Sequence, residues 1–166
     1  MPPPSQWVVR FAPSIRQGGT VLDLAAGSGR HARYLRQLGF RVVAIDIDVA
    51  RMTDLAEDDG VELVQADLEN ADWPLPGRRF DGIVVNNYLH RPLLPILAQS
   101  LTPGGVLIYE TFAEGNEKHG RPSNPSFLLR EKELLKAFSE LTVIEYEHGY
   151  EGDPKPAVRQ RICAVR

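Results

Sequence analysis

A single cysteine, Cys163, among 166 residues excludes an internal disulfide. It lies in the apolar run "ICAV", where a free cysteine packs as a small hydrophobe. The expected thiol is therefore buried and inert, and a disulfide-free chain is compatible with the cytoplasm. No apolar run approaches the ~20 residues that a membrane span needs. The opening "MPPPSQWVV" lacks the basic and apolar regions of a secretory leader. The expectation is a soluble, cytoplasmic protein with no membrane partner. Excess charge of one sign is missing too. The formal net charge is -3 with 25% charged residues, which leaves no general footprint for nucleic acid. The histidines at 31, 90, 119 and 148 show no metal-ligand spacing and have no cysteine pair beside them, so no metal is expected. There is no G-x-S-x-G nucleophile signature and no internal repeat.

What is present is a composition 43% hydrophobic, enough for one globular domain with a real core. Residues 1–19 read as an N-terminal arm with a short helix capped by Ser5 and ended by Pro13. Residues 20–166 read as one domain. Short apolar runs alternate with helical periodicity along it. Strands are predicted over 20–25, 41–47, 61–67, 80–87 and 106–111, and helices over 29–39, 49–60, 93–105 and 128–139. In the third of these helices Pro103-Gly104-Gly105 is the expected stop. Two final strands, "LTVIEYEHG" and "VRQRICAVR", are joined without a helix and so form an antiparallel pair at one edge. The fold class is α/β: a doubly wound, Rossmann-like, seven-stranded sheet, mostly parallel. In such sheets ligands bind at the carboxyl ends of the strands.

The stretch "VLDLAAGSGRHARYL" sits at the first of those ends. Gly27, Gly29 and Ala32 fit the dinucleotide fingerprint G-x-G-x-x-G/A. The glycines let backbone approach a ligand and turn sharply into a helix, whose free N–H groups suit a phosphate or a carboxylate equally. Asp23 shifts the balance. A carboxylate there repels a pyrophosphate but pairs with an ammonium, so a ligand bearing both amine and carboxylate suits the loop better. Asp46 ends the second strand, where an acid accepts hydrogen bonds from ribose hydroxyls. Asp48 stands behind it as a more exposed alternative. Asp67 ends the third strand, where it can accept from an adenine amino group, with Leu68 offering its backbone N–H. Asp23 also has a plain structural reading as a cap or a salt-bridge partner, and Asp67 as a helix N-cap or turn acid.

The set of Asp23, Gly27, Gly29, Asp46 and Asp67 is more specific than any member. With "VVAIDI", "VQADLEN", "FDGIVVNNYLH" and "LTPGGVLIYE", the chain resembles the class I S-adenosylmethionine-dependent methyltransferases over residues 20–111. Within that class it looks most like small stand-alone bacterial enzymes of the tellurite-resistance-like group. The resemblance implies S-adenosyl-L-methionine as cofactor. Asp23, Ala25 and the glycine loop would hold its methionine part, Asp46 and Ile47 the ribose side, Asp67 and Leu68 the adenine, and Asn86 would lie beside the transferred methyl. "NNYLHRP" departs from the Asn-Pro-Pro-Tyr motif of adenine- and glutamine-directed relatives, which takes support from those substrates. Tyr88 and His90 are the candidates for acceptor contact or base, against a packing role for Tyr88 and a capping role for His90.

Residues 112–127 are polar and rich in glycine and proline, which suggests a lid over the acceptor, with His119 and Arg121 facing the pocket. Trp7, Arg10 and Arg30 could add to the pocket. The absence of a recognition domain favours a small-molecule acceptor. Two other readings stay open: an NAD(P)-binding oxidoreductase, supported by the fingerprint and Asp46, and a non-catalytic module that binds the cofactor without turning it over.

Overall fold

The computed structural model describes residues 1–166. Seven strands form one sheet: β1 (Thr20–Leu24), β2 (Arg41–Asp46), β3 (Val61–Gln65), β4 (Phe80–Asn86), β5 (Leu101–Phe112), β6 (Thr142–Glu151) and β7 (Ala157–Val165). Their order is β3-β2-β1-β4-β5-β7-β6. The first five are parallel to their neighbours, and β7 runs antiparallel to both β5 and β6. The order reverses between β1 and β4, which opens a crevice at their carboxyl ends.

Side chains alternate across the sheet with period two. Val21, Val42, Ala44, Val84 and Ile108 face a core closed by α1 (Gln6–Phe11) and α2 (Arg30–Gln37). Leu22, Leu24, Val43, Ile45, Ile83 and Tyr109 face the opposite core, closed by α3 (Leu94–Gln99) and α4 (Glu133–Ala137). Two covered faces explain the almost uncharged sequences of the central strands. The Ser5 cap holds: its Oγ accepts the N–H groups of Trp7 and Val8. Cys163 is buried, and desolvation pushes its thiol up to about 11. No helix is long and apolar enough to cross a membrane.

Three elements differ from the sequence pattern. Residues 50–55 form 3₁₀ turns rather than an α-helix. The Pro103-Gly104-Gly105 stretch does not close a helix; α3 ends at Gln99 and the triplet lies inside β5. While β4 advances from Phe80 to Gly82, β5 advances from Leu101 to Val106, so the triplet is an irregular bulge. The chain end pins it: Gly104 N–H donates to Arg166 O, and Arg166 N–H to Gly105 O, both at 3.0 Å. The helix expected over 128–139 shrinks to α4. Leu129 is drawn into a bridge with Ala113 instead, and Lys132 takes a left-handed conformation with φ 56° that no helix continues through. Burial of Leu128 and Leu129 outweighs their helical preference.

Candidate functional site

The loop after β1 turns through three left-handed residues, Ala25 (φ 54°), Gly27 (φ 60°) and Gly29 (φ 81°). Only glycine takes such angles without strain, so Ala25 carries a cost on the order of 1–2 kcal/mol. The glycines serve different ends. A Cβ on Gly29 would stand 2.8 Å from Met52 Cγ, so this position is set by packing. A Cβ on Gly27 would meet nothing within 4 Å, so the loop faces open space there.

Asp23 lies beneath this loop on the face that Val21 shares with α1 and α2. It is 2% exposed and its Oδ2 has no hydrogen-bond partner. Burial pushes its carboxyl up to about 7, against the pull of the Ala32 N–H and the nearby Arg30. A buried acid with an idle oxygen is costly unless something answers it.

Asp46 ties β2 to the loop. Its Oδ2 accepts Gly27 N–H at 2.8 Å and its Oδ1 accepts Asp48 N–H at 3.1 Å. Asp48 itself is exposed. A cavity of about 260 Å³ opens beside Asp46, lined also by Ala25, Ile47, Asp67, Leu68 and Tyr88. Ile47 is 64% exposed, an apolar side chain on the rim with no core contact to explain it. Asp67 is engaged in its own turn: Oδ1 accepts from Glu69 N and Asn70 N, and Oδ2 from Asn70 Nδ2 at 3.0 Å. The Asn70 amide and these N–H groups hold its carboxyl below the usual range.

Asn86 closes β4 at the centre of a polar chain. Its Oδ1 accepts Arg30 NH2 and its Nδ2 donates to Glu110 Oε1, both at 2.6 Å. Glu110, 5% exposed, accepts Arg161 Nε on its other oxygen at 2.6 Å. Arg161 and Arg159 both reach Glu151, and Arg159 NH1 donates to Asn87 Oδ1 at 2.6 Å. Arg159, Arg161 and Glu151 escaped the sequence reading. The one signal was two arginines alternating through an otherwise strand-like run, whose register against β5 sets Arg161 opposite Glu110. A cleft of about 620 Å³ lies over this chain, between the N-terminal arm, Arg30, Asn86 and Arg161.

Tyr88 walls the cavity beside Asp46 and also a second, apolar one of about 230 Å³ with Leu89, Phe112, Pro122 and Phe127. Burial first, and then Glu69, raise its phenol well above the ordinary value, so it stays protonated. His90 lines none of these three cavities. It precedes the turn Arg91–Leu93, and its side chain makes no capping bond. Loop 112–127 supplies Pro122 and Phe127 to the apolar cavity, and Arg121 lines its outer continuation. His119 instead packs against Tyr150, ring centroids 5.1 Å apart. Asn116 is buried and fastens the loop, donating to Pro122 O and accepting from Val158 N. Trp7 is core, its Nε1 donating to Ile162 O at 3.1 Å, and Arg10 pairs with Glu145.

Comparisons with known proteins bear on the family and the fold. A family model described as a methyltransferase domain matches residues 3–150. The ubiquinone/menaquinone biosynthesis C-methyltransferase UbiE of Pseudomonas savastanoi is 32% identical over 119 residues, covering 63% of this chain and 46% of that protein. The crystal structure of TehB from Haemophilus influenzae superposes with a TM-score of 0.78 at 21% identity, covering 95% of this chain and 61% of that one. A Burkholderia thailandensis 1,6-didemethyltoxoflavin-N1-methyltransferase, crystallised with its acceptor and S-adenosylhomocysteine, gives a TM-score of 0.72 at 19% identity, covering 96% and 76%. The chain spans less than half the length of the curated relatives it matches.

Proposed function

For a chain that belongs to the methyltransferase-domain family, we propose transfer of a methyl group from S-adenosyl-L-methionine to a small-molecule acceptor. The observation that carries this reading is the buried, idle Oδ2 of Asp23 under a glycine loop that faces open space at Gly27. That pairing fits an ammonium-bearing ligand and argues against a pyrophosphate, which removes the ground for an NAD(P)-dependent oxidoreductase.

The residues present fit the cofactor. Asp23 answers the ammonium, and the loop from Ala25 to Gly29 cradles the aminoacyl part. Asp46 keeps acceptor capacity for ribose hydroxyls beyond its two backbone donors. Ile47 and Tyr88 would wall the adenine, Leu68 N–H and Asp67 would meet its polar edge, and Asn86, at the end of β4, would stand on the methyl side. When bound, the cofactor supplies an electrophilic methyl on a sulfonium leaving group, so the protein's work is alignment and exclusion of water. Tyr88, protonated and shared between two cavities, orients ligands rather than removing protons. His90 is the candidate base for acceptors that need one, reached only if the segment after β4 shifts. Loop 112–127 acts as the lid through Pro122 and Phe127.

The acceptor is a small molecule because the walls around Asn86 and Tyr88 are clefts of a few hundred Å³, the scale of small-ligand sites. The structure of the toxoflavin N1-methyltransferase with its small acceptor supports the same class. The lone, buried Cys163 fits a cytoplasmic setting.

Calorimetric titration with S-adenosylmethionine, S-adenosylhomocysteine and NADH, beside Asp46→Ala, tests the reading. Micromolar binding of the two adenosyl ligands, weakened in the variant and absent for NADH, is expected. Binding of NADH alone overturns it. Binding without methyl transfer to any acceptor in a broad screen favours the non-catalytic module.

A further inference from the structure

We infer that the apolar cavity between Tyr88 and loop 112–127 receives a flat, uncharged aromatic ring, and that this ring is the body of the methyl acceptor. The inference rests on the methyltransferase reading and narrows its acceptor from small molecules in general to neutral ring compounds.

No charged side chain lines this cavity. The rings of Tyr88, Phe112 and Phe127 wall it, and the neutral side chains of Asn87 and Thr111 stand beside them. Its volume of about 230 Å³ exceeds the ~150 Å³ of an apolar cavity that holds benzene. One substituted ring or two fused rings fit. Phe112 and Phe127 also border the outer continuation, where Arg121 brings the first charge, so a substituent on the ring has a way out to solvent.

Phe127 is the side chain that points to a ligand. It is 47% exposed, so the fold gains little from it. Yet the backbone on either side of it is pinned. Arg91 donates to Ser126 O at 3.1 Å and to Leu128 O at 2.8 Å, and Glu133 holds Arg91 in turn by two bonds of 2.8 and 2.9 Å. Asn124 Oδ1 accepts Ser126 N–H as well. A half-exposed aromatic on so fixed a backbone is in position before any ligand arrives, and its apolar area stays in water until a ligand covers it.

The other two ring walls are fixed too. The Tyr109 hydroxyl donates to Tyr88 O at 2.8 Å, and the Arg159 guanidinium stacks on Phe112 at 4.1 Å from the ring centroid. A planar ring among three aromatic walls makes offset and edge contacts that a charged ligand does not. A small oxyanion finds no cation here, and in the neighbouring cleft Arg159 and Arg161 are matched by Glu151 and Glu110.

Tyr88 joins this cavity to the reaction, because it also walls the cavity beside Asp46. A ring seated here and an adenosyl ligand seated there touch the same side chain. Transfer forms a bond from a lone pair on the ring's hydroxyl or nitrogen to the methyl carbon. The carbon–sulfur bond breaks with its electron pair going to sulfur, which leaves S-adenosylhomocysteine, and the acceptor's proton goes to solvent.

The test adds indole, and separately selenite, to protein labelled in its tyrosine and phenylalanine rings, free and saturated with S-adenosylhomocysteine. Indole should shift the ring resonances of Tyr88, Phe112 and Phe127, and selenite should shift none of them. Phe127→Ala should weaken indole about 10-fold, while its urea midpoint and its affinity for S-adenosylhomocysteine match those of the unsubstituted protein. Product from labelled S-adenosylmethionine should come from phenols and fused nitrogen heterocycles, not from selenite or glycine. Indole shifts confined to other residues, an unchanged indole affinity in Phe127→Ala, or product from selenite or glycine alone overturns the inference. Should S-adenosylhomocysteine fail to bind while indole still shifts the three rings and Phe127→Ala still weakens it, the methyltransferase reading falls by itself and the ring-binding role of the cavity stands.

Discussion

The backbone N–H of Ser5 donates to Nε2 of His31 at 3.0 Å, so the N-terminal arm is fastened to the first turn of α2 by a neutral imidazole. Desolvation first, and then the adjacent Arg30, lower that imidazole to about 4. The folded state favours the neutral ring and the unfolded state titrates near 6.5. Stability from this bond is complete above about pH 6.5 and is lost as pH falls toward 4. Urea unfolding at pH 7 and pH 4.5 should show a drop, of which His31 accounts for on the order of 1–3 kcal/mol. His31→Gln should lose stability at pH 7 and show a smaller drop.

Asp23 titrates with the opposite sense. Its carboxyl is raised to about 7, so in the free protein stability falls as pH rises from about 3.8, where the unfolded carboxyl ionises, to about 7, and levels off above it. A ligand ammonium favours the ionised form. Binding of S-adenosylhomocysteine between pH 5 and 7 should therefore release a proton and tighten with pH. Calorimetry in buffers of differing ionisation enthalpy reads that release. Asp23→Asn should bind at least 10-fold more weakly, with no proton released.

The two loop glycines should separate packing from binding. Gly29→Ala forces a Cβ against Met52 and keeps a positive φ, so it should destabilise by about 2–4 kcal/mol. Gly27→Ala strains the backbone alone, at about 1 kcal/mol. Its methyl enters the space the ligand needs, so its larger effect is on cofactor affinity. Equal effects of the two substitutions on both measurements would contradict this division.

Glu110 joins Asn86 to Arg161 across three strands. Glu110→Ala leaves Arg161 with Glu151 alone and removes the acceptor of Asn86 Nδ2, and should cost about 1–3 kcal/mol. Combining it with Arg161→Met should recover part of that loss. Additive losses in chemical denaturation would show that the two side chains do not act as a unit.

Tyr88 should matter through its ring rather than its proton. Tyr88→Phe should change kcat less than about 3-fold and leave the pH–rate profile unaltered, because the phenol stays protonated across it. Tyr88→Ala removes a wall from two cavities and should raise KM for cofactor and acceptor together.

Much of the site was legible because its residues follow strands directly. Asp23, Asp46 and Asn86 each sit within or at the end of a β-branched run, and period-two patterning locates such ends well. The turn role of Asp67 was visible as an alternative, and the hydrogen bonds from Asn70 and Glu69 give it substance. Arg159, Arg161 and Glu151 were not legible. Their meaning depends on β7 entering between β5 and β6, a pairing across the whole chain that no local pattern encodes. The shortened α4 has the same origin: helical periodicity around Leu128 and Leu129 is real, and a distant contact with Ala113 overrides it.

By itself the sequence determined the succession of strands, the glycine turn after β1 and the acids at successive strand ends, since each follows from the side chains of a few neighbouring residues. Only the tertiary structure decided which charges are answered. Oδ2 of Asp23 is idle and Arg30 lacks a carboxylate because the chain folds other partners elsewhere. Burial and pairing are properties of distant segments brought together, which no run of neighbouring residues encodes.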